Sequence, residues 1–286
     1  MRPPIALAID ASDPCGALGL PAALKTFSAL GVYGAGAITA VLDRDLAQFR
    51  RALPMSADAV ATQVRSALTG LAVDATCVSV LPTVAVAEAV AEVLTEHAGR
   101  TGRIVVDPIL MTADGTPLVS AEAASVLRDR IVPLADVLTP SLGEAALLVG
   151  APAATTLDEV RAQAESLHAL GARVVVMATG RLGGDEAIDI VAHDGGVDIL
   201  RAERVESRAP LGAGSTFTAA IAAQFARMAR LRREDPGHEG GDDLTVIASA
   251  REFVASALAH ADAWEVASDS TAGGTPLNHL ITLAED

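Results

Sequence analysis

Short apolar runs alternate with longer amphipathic stretches along almost the whole chain. Ile5–Ile9 reads as a buried strand that stops in the polar, glycine-containing loop Asp10–Gly16. Leu20–Leu30 reads as a helix ended by Gly31, and Gly36–Val41 as the next strand. The same periodicities predict helices over Ala57–Leu71, Val84–His97, Ala121–Val132, Leu157–Leu170, Thr216–Leu231 and Leu244–His260. They predict strands over Ala75–Leu81, Arg103–Val106, Val137–Leu138 and Arg173–Ala178. Asp189–His193 and Ile199–Val205 read as an antiparallel pair joined by Asp194-Gly195-Gly196. Strands alternating with helices in this way build βαβ units, and so an α/β fold with a mostly parallel central sheet and helices on both faces. Such sheets bind ligands beyond the carboxyl ends of their strands. The site is therefore expected in the loops after Ile9, Val41, Leu81, Val106, Leu138 and Ala178. The charged, glycine-rich stretch Arg232–Asp243 reads as a mobile loop between the last two helices. No domain-boundary linker and no internal repeat interrupts the pattern, so one compact domain over residues 1–286 is expected.

Composition narrows this picture. Hydrophobic residues make up 51% of the chain but aromatic ones only 2%, so the core must be built from small aliphatic side chains and closely packed helices. The formal charge of -15 disfavours nucleic acid and anionic membranes as partners, and leaves any anionic ligand to be drawn in by local dipoles or single basic residues. Two distant cysteines, Cys15 and Cys77, give neither a disulfide framework nor a zinc pattern. No apolar run reaches membrane-spanning length, and the expected location is the cytoplasm.

The chemistry concentrates in Pro210-Leu211-Gly212-Ala213-Gly214-Ser215-Thr216-Phe217-Thr218-Ala219-Ala220-Ile221. A glycine-framed turn that feeds a helix aims several backbone N–H groups at one point, with the positive end of the helix dipole behind them. That arrangement suits a phosphate or a phosphoryl group in transfer. A plain helix cap with glycines at a tight turn accounts for the same residues.

Several strand-end segments match one family in order. Ile9-Asp10-Ala11-Ser12-Asp13-Pro14-Cys15-Gly16 and Ala22-Ala23-Leu24-Lys25-Thr26-Phe27-Ser28-Ala29-Leu30-Gly31-Val32-Tyr33-Gly34 are similar to the opening of the hydroxymethylpyrimidine and phosphomethylpyrimidine kinases of thiamine biosynthesis. Val105-Val106-Asp107-Pro108-Ile109-Leu110 with Asp114-Gly115-Thr116-Pro117-Leu118 resembles their central segment. Leu138-Thr139-Pro140-Ser141-Leu142-Gly143-Glu144-Ala145 resembles their metal loop, Gly212-Ala213-Gly214-Ser215-Thr216 their anion hole, and Gly274-Thr275-Pro276-Leu277-Asn278-His279-Leu280 their C-terminal tail.

The resemblance implies a ribokinase-like fold, a homodimer, and ATP- and Mg2+-dependent phosphorylation of a pyrimidine alcohol or its phosphate. It also implies roles. Gly212, Ala213, Gly214 and Ser215 form the catalytic anion hole; Thr179, Gly180 and Ser141 bind ATP. Ala11, Asp13, Arg44, Val80 and Asp107 line the substrate, and Glu144 and Asp107 hold the metal. Cap or turn roles stand beside the chemical ones for Glu144, Asp107 and Ser215.

The departures fall on the same loops. Ser215 stands where the family has cysteine and the wider superfamily aspartate, and a serine hydroxyl is a poor general base near neutral pH. Ser141 replaces an asparagine, Met177 a lysine, Pro21 and Ala23 a glutamine and an aspartate, and Ala11 a glycine. Arg44 replaces the glutamate or glutamine that faces the pyrimidine, a change that favours a more anionic substrate. Two alternatives stay open at this point. One is a catalytically weak or inactive small-molecule-binding relative. The other is a kinase for another vitamin-like alcohol such as pyridoxine.

Overall fold

The computed structural model describes residues 2–112, 115–207, 210–237, 241–266 and 274–281. Nine strands form one sheet. They are β1 (Ile5–Ser12), β2 (Tyr33–Arg44), β3 (Phe49–Pro54), β4 (Ala75–Val78), β5 (Arg103–Val106), β6 (Val137–Leu138), β7 (Val174–Ala178), β8 (Glu186–His193) and β9 (Gly196–Glu203), in the order β3-β2-β1-β4-β5-β6-β7-β8-β9. The six central strands run parallel; β3 at one edge pairs antiparallel with β2, and on the other side β8 pairs antiparallel with both β7 and the edge strand β9. A separate parallel pair joins β10 (Pro210–Leu211) to β11 (Thr275–Pro276). The helices are α1 (Gly19–Ala29), α2 (Ala57–Gly70), α3 (Val84–Glu96), α4 (Ala121–Val126), α5 (Leu142–Val149), α6 (Leu157–Ala169), α7 (Ala213–Glu234) and α8 (Asp243–Ala259).

The period of two along β1 sorts its side chains between two cores. Ile5, Leu7 and Ile9 join the larger core under α2, α3, α5 and α6. Ala6 and Ala8 face the other layer, with α1, α7 and α8. The small side chains on that second face let α7 lie close against β5, β4 and β1, and α7 answers with Ala219, Ala220, Ala222, Ala223 and Ala226, all buried. Gly36 of β2 shows how tight this face is, since a β-carbon there would meet Leu20 Cδ1 of α1 at 2.4 Å. A low aromatic content is thus compatible with a dense core, because backbones approach where side chains are short.

The mostly parallel α/β architecture agrees with the sequence reading, and several details differ. The strand read as Gly36–Val41 is longer, running from Tyr33 to Arg44, and it turns back through β3, which the sequence reading left out. The helix read over Ala121–Val132 is α-helical only to Val126 and widens into a π turn over Leu127–Ile131. Pro133 then takes part in a 3-10 turn, Val132–Leu134, because its ring and missing N–H cannot continue the α-helical ladder. The stretch read as a loop from Arg232 begins as helix, since α7 continues to Glu234 and α8 starts at Asp243. Residues 238–240 of that stretch, and Asp114 of the central segment, lie outside the described residues.

Candidate active site

Helix capping separates the helices into two kinds. Side chains of Ser56, Thr83, Ser120, Ser141, Thr156 and Asp242 accept from the first-turn N–H groups of α2, α3, α4, α5, α6 and α8. The N-termini of α1 and α7 have no side-chain cap. On α7 the N-cap position is Gly212, left-handed at φ +96°, and the regular ladder begins with Thr216 N–H donating to the Gly212 carbonyl at 2.9 Å. The amides of Ala213, Gly214 and Ser215 are therefore left for an external acceptor, at the positive end of a 22-residue helix.

That open turn faces a buried carboxylate. Asp107 follows β5, and its Oδ2 lies 3.8 Å from where a Gly214 β-carbon would stand. Burial first, then the nearby charges of Glu144 and Asp10, hold the Asp107 carboxyl well above the usual carboxylate range, while a hydrogen bond from Thr218 opposes them. Thr218 shares a further hydroxyl contact of 2.8 Å with Thr139, at the end of β6. Glu144 is also buried, and its oxygens already accept from Ser141 N–H at 2.8 Å and Leu110 N–H at 3.3 Å. Ser141 and Glu144 close a capping box on α5, so the cap role and a place beside Asp107 belong to the same residue.

Among the described residues, no three His, Cys, Asp or Glu side chains gather with the geometry of a metal cage. Two acids sharing a buried position nevertheless suit Mg2+, which takes one or two carboxylates and fills its octahedron with water and phosphate oxygens. Asp107 is the direct candidate. Glu144, with both oxygens engaged, would act through water.

The first loop forms the other wall. Asp13 is buried, and its carboxylate accepts from Cys15 N–H at 3.0 Å and from Ala17 and Leu18 N–H at 2.9 Å each. Arg44 Nε lies 3.9 Å from Asp13 Oδ1. Ala11 and Val80 pack together with Ala40 and Leu42 in a small apolar cluster. The structure thus joins Ala11, Asp13, Arg44 and Val80 at the carboxyl edge of β1, β2 and β4. Gly212 links this wall to the anion turn, since its α-carbon abuts the Ala17 carbonyl.

Thr179 and Gly180 form the turn after β7. The Thr179 hydroxyl donates to the Ile188 carbonyl at 2.9 Å, and Arg204, beyond β9, donates to the Gly180 carbonyl at 2.8 Å. Met177 is buried in the larger core and offers no charge to this turn, whereas Arg204 reaches its Gly180 carbonyl. Ser215 is buried, and its hydroxyl makes no hydrogen bond to the described residues.

Sequence reasoning passed over three groups. Arg204 is brought to Gly180 only by the β8–β9 hairpin, and nothing local marks it. His279 was quoted in the tail without a role. It is wholly buried and shares a 2.9 Å hydrogen bond with the Thr216 hydroxyl. Burial first, then Lys25, push its pKa down to about 4, so the ring is neutral. Asp10 lies in the carboxyl-terminal half of β1, two residues before its end, and accepts from Ala11 and Val80 N–H at 2.7 and 3.2 Å.

The sequence profile of the phosphomethylpyrimidine kinase family matches residues 13–269. A hydroxymethylpyrimidine/phosphomethylpyrimidine kinase of Escherichia coli (strain K12) is 35% identical over 261 residues, covering 91% of this chain and 93% of its own. The crystal structure of a Bacillus subtilis pyridoxal kinase in complex with ADP superposes with a TM-score of 0.85 at 29% identity, covering 100% of both chains. A Staphylococcus aureus pyridoxal kinase in complex with AMP-PCP and pyridoxal superposes with a TM-score of 0.82 at 25% identity, covering 98% of this chain and 94% of its own.

Asp10 gives this site a pH signature. Burial pushes its pKa from 3.8 up to about 6, against hydrogen bonds from Ala11, Val80 and Ser79. Between those values the folded chain binds more protons than the unfolded one, so Asp10 lowers stability as pH rises through this window. Asp10→Asn is expected to match the wild type near pH 4 and to exceed it by up to about 3 kcal/mol at pH 8. Urea denaturation across that range checks it, and a stability difference independent of pH contradicts it.

Proposed function

The chain belongs to the phosphomethylpyrimidine kinase family, and from that membership we propose that residues 1–286 act as one kinase domain in thiamine biosynthesis. The reaction is ATP-dependent phosphoryl transfer to the hydroxymethyl group of 4-amino-5-hydroxymethyl-2-methylpyrimidine, or to its monophosphate. The observation that carries this reading is the uncapped N-terminus of α7 set against buried Asp107. Relatives crystallised with ADP and AMP-PCP support ATP as the phosphoryl donor.

The acceptor oxygen attacks the γ-phosphorus, the bond from that phosphorus to the ADP oxygen breaks, and the acceptor proton leaves to a base or to water. The chain's main contribution is placement and charge, because the transferring group needs donors at its equatorial oxygens more than it needs covalent help. Amides of Ala213, Gly214 and Ser215 supply those donors. Mg2+, held by Asp107 and by Glu144 through water, would neutralise phosphate charge. The apolar patch of Ala11, Leu42 and Val80 receives the ring.

One observation favours slow turnover as the second reading. The Ser215 hydroxyl has no described hydrogen-bond partner to activate it. Ser215→Cys is expected to raise phosphoryl transfer to the pyrimidine alcohol by roughly tenfold, because a thiol ionises far more readily than an alcohol. Ser215→Ala should cost little. Direct detection of the phosphorylated product measures both. A large loss in Ser215→Ala refutes the passive role of Ser215, and absence of product in all three proteins with ligand still bound refutes the kinase reading.

We further propose a homodimer through the β2–β3 hairpin, where the paired Val41 and Leu53 expose an apolar face. The unpaired thiols Cys15 and Cys77 suit a reducing cytoplasm. No described helix is long and apolar enough to cross a membrane. Sedimentation equilibrium is expected to give twice the chain mass for the wild type and the single chain mass for Leu53→Asp. A monomeric wild type at micromolar concentration contradicts the dimer.

A further inference from the structure

Arg44 is an arginine with donors to spare, set in a place where a ring would bind. It closes β2, and the period of two puts it on the same face as Ala40 and Leu42, while Val41 and Asp43 point the other way. Ala40 and Leu42 pack with Ala11, Val80, Phe49 and Ile109 in an apolar cluster separate from the two main cores. Its members come from the carboxyl ends of β1 and β2, from β3, and from the segments after β4 and β5. Only 6% of the Arg44 side chain is exposed. Its Nε donates to the Asp45 carbonyl at 3.0 Å, and its terminal nitrogens make no hydrogen bond to the described residues.

The nearby carboxylate does not use up this cation. Asp13 lies 3.9 Å from Arg44 Nε, beyond hydrogen-bond reach, and already accepts three backbone N–H groups. Lys25 of α1 reaches back to this loop and donates to the Gly16 carbonyl at 2.5 Å. Two cations therefore surround one carboxylate. A guanidinium donates only and cannot accept. A guanidinium whose terminal donors reach solvent and bind no described residue is available to an acceptor on the ligand, and an amino group there would set donors against donors.

Resting on the kinase reading for the location of the ring, we propose that this site also takes N-heteroaromatic alcohols whose ring edge carries an oxygen acceptor, an oxo or deprotonated hydroxyl group, and binds them more tightly than the aminopyrimidine. Arg44 is the residue that sets this preference. The apolar cluster holds the ring whatever its substituent, so the discrimination comes from one polar edge.

The test compares 4-amino-5-hydroxymethyl-2-methylpyrimidine with its 4-oxo counterpart by calorimetric titration in the presence of a non-hydrolysable ATP analogue. The wild type is expected to bind the oxo ring at least about tenfold more tightly, the scale on which a site built for a charged hydrogen bond rejects a mismatched analogue. Arg44→Lys should keep the preference, since a lysine also only donates. Arg44→Gln both donates and accepts, and should bring the two affinities within about threefold. Equal or tighter binding of the amino ring by the wild type overturns the proposal, as does an unchanged preference in a folded Arg44→Gln variant. If Arg44→Gln does not fold, the wild-type ratio and Arg44→Lys decide. Phosphate transfer from ATP is read on the same proteins. Its absence for both rings, with the binding preference intact, removes the kinase reading and leaves the assignment of Arg44 supported.

Discussion

Everything at this site hangs on one close approach, the Gly212 α-carbon against the Ala17 carbonyl. A β-carbon on Gly212 would lie 2.0 Å from that oxygen, and its φ of +96° is one that side chains resist. The turn that opens α7 and the loop that leaves β1 are therefore packed as a single piece. Asp13 holds the loop's shape by collecting the amides of Cys15, Ala17 and Leu18. From Asp13 the contact runs on to Arg44 and the apolar cluster. The proposed phosphate end is thus joined to the first loop through backbone, and that loop to the proposed ring end through the side chains of Asp13 and Arg44.

Charge is arranged against this frame in a deliberate asymmetry. Six helices satisfy their first turns with side-chain caps, and α1 and α7, which meet at this site, do not. The same corner crowds Asp107, Asp10 and Glu144 in a region that water scarcely reaches. Neither feature stabilises the empty protein. Open amides favour an anion and crowded acids favour a cation, so together they are matched to a cation–phosphate pair. A chain with a net charge of -15 has little long-range attraction to offer a nucleotide, and these local fields take over that task.

The parallel sheet was legible because its strands are apolar and its helices amphipathic at the proper periods; β5 and β7 were read almost to the residue, and β1, read as Ile5–Ile9, runs three residues further to Ser12. β3 was not, since Phe49–Pro54 carries two arginines and pairs at an exposed edge, where no buried face imposes a pattern. The anion turn could be seen in Gly212 and Gly214 because glycine spacing is local information. Its reach to Asp107 and Ala17 could not, since those contacts join residues far apart in sequence. Arg44 and Asp13 could be named as lining residues only through resemblance. Their proximity, and the donors left over on Arg44, come from how β2 and the first loop meet. Arg204 and His279 are of the same kind, each brought to the site by a partner strand.

The coupling of the two ends through Gly212 is tested most directly by Gly212→Ala, titrated separately with a non-hydrolysable ATP analogue and with the pyrimidine alcohol. A single methyl group should force apart the α7 turn and the first loop while the two main cores, which do not involve them, keep the protein folded by circular dichroism. The expected result is a loss of at least about tenfold in affinity for both ligands, as backbone donors and the ring wall move together. Wild-type affinity for either ligand in the folded variant would contradict the account.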